Sequence, residues 1–229
     1  MSSDVHVVEH PDLRWQYEGS PRVYLGRRSE SVDPTPCYPH PRVVVNDALN
    51  QVLEILPARW PLTFWLTDHE GLDRMNGKSW YDTDYRKEPR TFEHFHTTLW
   101  VKRVQPHPAM TRYLVAHEYG HHVENWIAEA RGYKIDSHEI FAISKEYAQL
   151  RGLVGIPDHY GPGVWHAQPA EVFANDFRVG ICVMETEFWP HPGIPRPSEL
   201  PASTRRKLKA WWDENLALIT TPREETTAA

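Results

Sequence analysis

The sequence predicts an α+β fold: a small mixed sheet early in the chain, one long central helix, and a mostly helical lobe after it. Three observations carry this expectation. Runs at 62–67 and 92–104 are rich in β-branched and aromatic residues, as strands are. The stretch 109–130 places Met110, Tyr113, Leu114, Ala116, Tyr119, Val123 and Ile127 at helical spacing. The later periodic segments all have the period of a helix.

With 229 residues the chain suits one sizeable core and a small second lobe better than two full domains. We therefore expect an N-terminal arm over 1–45, one domain over 46–219 in two lobes (46–130 and 131–219), and a flexible tail over 220–229. The arm is Pro-rich and polar, closing on Pro34, Pro36, Pro39 and Pro41, so regular structure there should be sparse. Ala48, Val52, Leu53 and Leu56, following Asn46 and Asp47, predict a short capped helix. A strand over 62–67 comes next. The run 68–90 has little periodicity and reads as a long surface loop.

In the strand at 92–104, His94, His96, Thr98 and Trp100 share a face, and Pro106 and Pro108 end it. The long helix of 109–130 stops at Gly132. A second helix is expected over 137–150, capped by Asp136 or Ser137, and a third over 169–183 with Pro169 in its first turn. A last amphipathic helix should span 202–218.

Hydrophobic residues make up 40% and charged residues 24%, and the formal net charge is -6, an ordinary globular balance. The 25 Lys and Arg are outnumbered by 31 Asp and Glu. The basic cluster Arg205, Arg206, Lys207 and Lys209 shares its helix with Asp213 and Glu214, which reads as a solvated face, so no nucleic-acid partner is expected. No run approaches the roughly 20 apolar residues of a membrane span, and 1–10 lacks the basic start and apolar run of a signal peptide. With only Cys37 and Cys182, at most one disulfide could form. A cytoplasmic location with no membrane partner is the expectation, release by another route remaining open. The 10 Trp are read as an aromatic core.

The 14 His are more informative where they cluster, in HEYGHH at 117–122. On a helix His117 and His121 lie four apart, about 6 Å along the axis, and project from one face, which suits two ligands of a tetrahedral zinc. Glu118 cannot reach the same point as its neighbour, but it can hold a water in the metal's open position, so it is placed as a base rather than a ligand. A buried helix is a costly place for His, Glu and His unless a metal satisfies them.

A catalytic zinc needs a third protein ligand. In the metzincin pattern Gly and His would fall where this chain has Glu124 and Ile127, which removes that class. His122 points away from His121, towards a supporting or core role. His138 and Glu139 are possible. The favoured candidate is Glu171 in PAEVFANDF, where Glu171 and Asn175 share one face and Val172, Phe173 and Phe177 supply an apolar side. Its alternative role is that of an acid favouring the dipole at a helix start.

HEYGHH, the pair Tyr160-Gly161 and PAEVFANDFR together resemble the gluzincin metallopeptidases, most closely the catalytic domain of the anthrax lethal factor type, over roughly 109–180. The resemblance implies a zincin-like fold with an edge strand and an active-site helix. It also implies His117, His121 and Glu171 as ligands of one Zn2+ per chain, Glu118 as general base, and Tyr160 as oxyanion partner. Asn175 stands where the family has an acidic residue, and the interval from Tyr160 to Glu171 is longer; packing is the alternative role for Tyr160. The activity implied is that of a zinc-dependent endopeptidase, in which Glu118 activates a zinc-bound water for attack on a peptide or protein substrate. In zincin folds the strand before the motif helix is the edge strand, on which extended substrate pairs; the strand at 92–104 is expected in that place. Two other functions remain: a non-catalytic or toxin-like zinc-binding module, and a zinc amidase acting on cell-wall peptides.

Overall fold

A computed structural model describes residues 5–9, 41–67, 77–84, 86, 91–100, 108–134, 141–153, 168–183 and 189–221. In chain order the elements are β1 (Val5–Glu9), α1 (Pro41–Ile55), β2 (Leu62–Thr67), β3 (Gly77–Asp84), β4 (Thr91–Trp100), α2 (Pro108–Ala130), α3 (Ala142–Leu150), α4 (Pro169–Asp176) and α5 (Ala202–Thr220). Four strands and five helices make a mixed α+β architecture among the described residues.

The sheet runs in the order β1-β2-β4-β3. β1, β2 and β4 are parallel, and β3 is antiparallel to β4. This corrects three expectations. The arm over 1–45 contains β1 and the first turn of α1, because Pro41 can open a helix as readily as it closes a loop. The supposed loop over 68–90 contains β3, whose residues GKSWYDTD are too polar to show a core-facing alternation. Finally, β4 is central rather than an edge; the edges are β1 and β3.

One face of the sheet is apolar. Phe64, Leu66, Phe95 and Leu99 are fully buried there beneath α1 and α2. In α1, Val45, Ala48, Leu49 and Val52 are buried at one-turn spacing, the period that makes a helix amphipathic. On the other face His94, His96 and Thr98 are half-buried, as the alternation of β4 predicts, although a β-bulge displaces the register near its start. The side chain of Trp100 lies outside the described residues.

α2 is buried nearly all round, because the sheet and α1 cover one side while α3, α4 and α5 cover the other. It ends at Gly132, whose φ of 80° is the left-handed value glycine tolerates. There the Tyr133 N–H reaches the Ala128 carbonyl at 3.0 Å and the Gly132 N–H reaches that of Glu129 at 2.9 Å, which satisfies two otherwise bare carbonyls. α3 begins at Ala142, later than expected, and the proposed caps Asp136 and Ser137 lie outside the described residues.

α4 starts with Pro169 in its first turn and continues as a π-helical turn over Phe177–Ile181, so one helical path covers most of the expected 169–183. α5 buries Leu208, Trp211, Trp212, Asn215 and Ile219. Its basic cluster is exposed, and Lys209 pairs with Asp213 at 2.6 Å, in keeping with a solvated face. No described helix is long and apolar enough to cross a membrane.

Candidate metal centre

His117 and His121 stand one turn apart on α2, and their rings are 4.9 Å apart and nearly perpendicular. Glu171, in the first turn of α4, faces both. Its Oε2 lies 3.1 Å from His117 Nε2 and its Oε1 lies 3.7 Å from His121 Nε2. Ligand atoms on a tetrahedral zinc stand roughly 3.4 Å apart, from metal–ligand bonds near 2.1 Å, so these separations bracket what such an ion requires. His117 and Glu171 are buried and His121 is half-buried. The three form the one group of metal-ligating side chains with this closeness among the described residues, and it could hold a metal ion.

The approach of α4 to α2 depends on a residue inside the motif. A Cβ at Gly120 would lie 2.9 Å from Ala174 Cα and 3.1 Å from its carbonyl oxygen. Glycine facing alanine lets the two backbones come close, and that closeness brings Glu171 to the two histidines.

The electrostatics fit a cation. Burial lowers the His121 pKa to about 4, so at neutral pH its lone pair is available. For His117 burial also disfavours the charge, but the Glu171 carboxylate outweighs it and the pKa rises. Burial would raise the Glu171 pKa, yet the two imidazoles draw it below the usual value, so it is a carboxylate. Glu171 Oε2 and His117 Nδ1 are buried without a directed hydrogen bond. A buried carboxylate and two imidazoles so arranged are expensive alone, and a divalent cation would offset that cost. One feature departs from common practice: a ligating His usually gives its second ring nitrogen to a partner, and His117 Nδ1 has none among the described residues.

Glu118 is buried, and burial pushes its pKa up to about 7 against the opposing pull of His117 and Ser79. Ser79 Oγ donates to Glu118 Oε2 at 2.7 Å from the edge strand β3. His122 takes no part in the ligand group. It is fully buried, bonded through Nε2 to Thr97 Oγ1 at 2.8 Å, as a core or supporting residue should be.

Asn175 makes no hydrogen bond to the His117 or His121 ring. Its Nδ2 donates to the Glu171 carbonyl at 3.0 Å and to His191 Nε2 at 2.8 Å, while its Oδ1 accepts from Tyr113 OH at 2.9 Å. Tyr113 in turn stacks parallel to the His117 ring at 6.0 Å, and the Arg178 guanidinium lies over the Tyr113 ring at 4.0 Å from its centre. From sequence Tyr113 counts only as an apolar position of the helix, although its place four residues before His117 is the signal that could have found it; Ser79 and His191 left no sequence signal. Tyr160, His138 and Glu139 lie outside the described residues.

No family model matches the chain, and neither the curated proteins nor the solved structures contain a match. Any functional assignment therefore stands on the geometry of these residues.

Proposed function

We propose that the chain is a zinc-dependent hydrolase of the zincin-like kind, acting on peptide bonds, with His117, His121 and Glu171 as metal ligands and Glu118 as general base. The observation that carries this reading is the convergence of the His117, His121 and Glu171 donor atoms on one buried point, with Glu118 beside it on the same helix. Two nitrogens and one carboxylate oxygen are a donor set that suits zinc and leaves a fourth position open.

A divalent cation in this set supplies Lewis acidity to a water and to the substrate carbonyl. The protein residues do the rest. Glu171 would be the one anionic ligand of that cation and would offset part of its charge. Glu118 takes the proton from the attacking water and returns it to the leaving nitrogen, the two-way transfer of a general acid–base group. Support for an extended peptide as substrate comes from β3, an edge strand that meets Glu118 through Ser79.

The test pairs metal analysis with a cleavage profile on a peptide library. The protein should hold about one zinc per chain, lost in His117→Ala and His121→Ala and weakened by orders of magnitude in Glu171→Ala. Glu118→Gln should keep the metal and lose at least about 100-fold in turnover. Wild-type zinc content in His121→Ala, or full turnover in Glu118→Gln, would sink the assignment. Stoichiometric zinc without hydrolysis of any peptide or cell-wall amide would favour a non-catalytic metal-binding module.

A further inference from the structure

We propose that the edge strand β3 is a mould for Glu118, in which Gly77 makes room for the carboxylate and Ser79 grips it, so that both are positioning residues for the base. Their catalytic purpose rests on the reading of Glu118 given above, while the mould itself stands on geometry.

Gly77 and Ser79 are two apart on a strand and so face the same side. Gly77 pairs regularly with Leu99, and it is not among the glycines with positive φ, so its backbone does not call for glycine. What calls for it is space. A Cβ built on Gly77 would collide with Glu118 Oε1 and lie 2.8 Å from Cδ and 2.9 Å from Cγ. Its three nearest heavy-atom neighbours thus all belong to the Glu118 side chain.

Ser79 supplies the grip. A serine hydroxyl has one proton, and its shortest contact is Glu118 Oε2 at 2.7 Å, against 3.2 Å to the Glu118 carbonyl. Its lone pairs are free to accept from Thr97, the residue directly opposite on β4, at 3.1 Å. Thr97 can then accept from His122 Nε2 at 2.8 Å. Every proton in this row points towards Glu118: His122 to Thr97, Thr97 to Ser79, Ser79 to the carboxylate. The arrangement requires the Nε2–H form of His122, which leaves Nδ1 as a bare lone pair. Nδ1 is the His122 nitrogen that lacks a hydrogen-bond partner among the described residues. A buried acceptor left unpaired is better tolerated than a buried N–H.

A glutamate on a helix has three rotatable bonds, and a base that wanders spends little of its time facing its water. Steric enclosure on one side and a hydroxyl bond on the other fix one rotamer, which is how a surrounding shell makes a catalytic group precise.

Two mutant cycles and a kinetic comparison test the mould. In the Glu118 background Gly77→Ala and Ser79→Ala should each lower Tm, by roughly 3–10 °C. In a Glu118→Ala background, which removes the colliding and accepting atoms, Gly77→Ala should cost nothing and Ser79→Ala much less. On the best library peptide, Ser79→Ala should lower kcat about 10- to 100-fold, the scale for lost supporting bonds, with KM little changed, and Ser79→Thr should recover most of it. Additive Tm changes in either cycle overturn the mould whatever the activity. Coupled cycles with full kcat in Ser79→Ala, while Glu118→Gln is dead, overturn the positioning role and leave the hydrolase reading intact. Coupled cycles in a protein that hydrolyses nothing overturn the positioning role because the hydrolase reading itself has failed.

Discussion

Glu124 is buried in α2, bonded to Ser144, and burial pushes its pKa up to about 7 from the usual 4.5. Between those two values the folded chain keeps a proton that the unfolded chain has released, so stability falls as pH rises through that window. Above about pH 7 the loss is complete, and below 4.5 it is absent. We therefore expect Glu124→Gln, which cannot ionise, to flatten the decline of Tm between pH 4.5 and 7 relative to wild type. Thermal melts across that range check it; parallel curves would show that Glu124 is ionised in the fold.

Among the elements, the contact of α2 with α4 is what brings Glu171 to His117 and His121. Gly120→Ala inserts a methyl group against the Ala174 backbone, which cannot swing aside as a side chain would. The expected cost is about 1–3 kcal/mol, the scale of overpacking in a core. More telling is where the strain goes, since moving α4 outward carries Glu171 away from His117 and His121. Zinc titration of Gly120→Ala should show weakened binding even though no ligand is altered, and unchanged affinity would mean that Glu171 is placed by other contacts. The long helix and its HEYGHH residues were readable because periodicity and spacing are local. β3 was not: its pairing to β4 is supplied by a partner strand, and the polar run GKSWYDTD announces nothing until that partner is present.

α5 packs against α2 and α3. Trp212 packs 4.9 Å from Phe173 and 5.4 Å from Tyr147, ring centre to ring centre, and its indole N–H meets Tyr147 OH at 3.2 Å. Tyr147 OH donates to Asp176, which the buried Arg151 also grips at 2.5 and 3.0 Å. Trp212→Ala should destabilise by about 3–5 kcal/mol, the range for removing a large aromatic from a core. Chemical denaturation measures it, and a change under 1 kcal/mol would mean that α5 is peripheral. Because Phe173 belongs to α4, the same variant should loosen Glu171.

What the sequence determined alone was set by neighbours along the chain: the α+β class, the central helix, its stop at Gly132, and the presentation of His117 and His121 on one face. Spacing within a helix is fixed by 3.6 residues per turn, so the placing of His117 and His121 on one face follows from the order of residues. The meeting of Glu171 with those histidines was an expectation only, since 50 residues of chain could lead many ways; the approach of α4 across Gly120 decided it. The surroundings of Glu118 were decided wholly by tertiary structure, because Gly77, Ser79, Thr97 and His122 come from two strands and a helix and become neighbours through sheet pairing. A glycine and a serine carry no chemical signature of their own, and their meaning arises from what the fold sets against them.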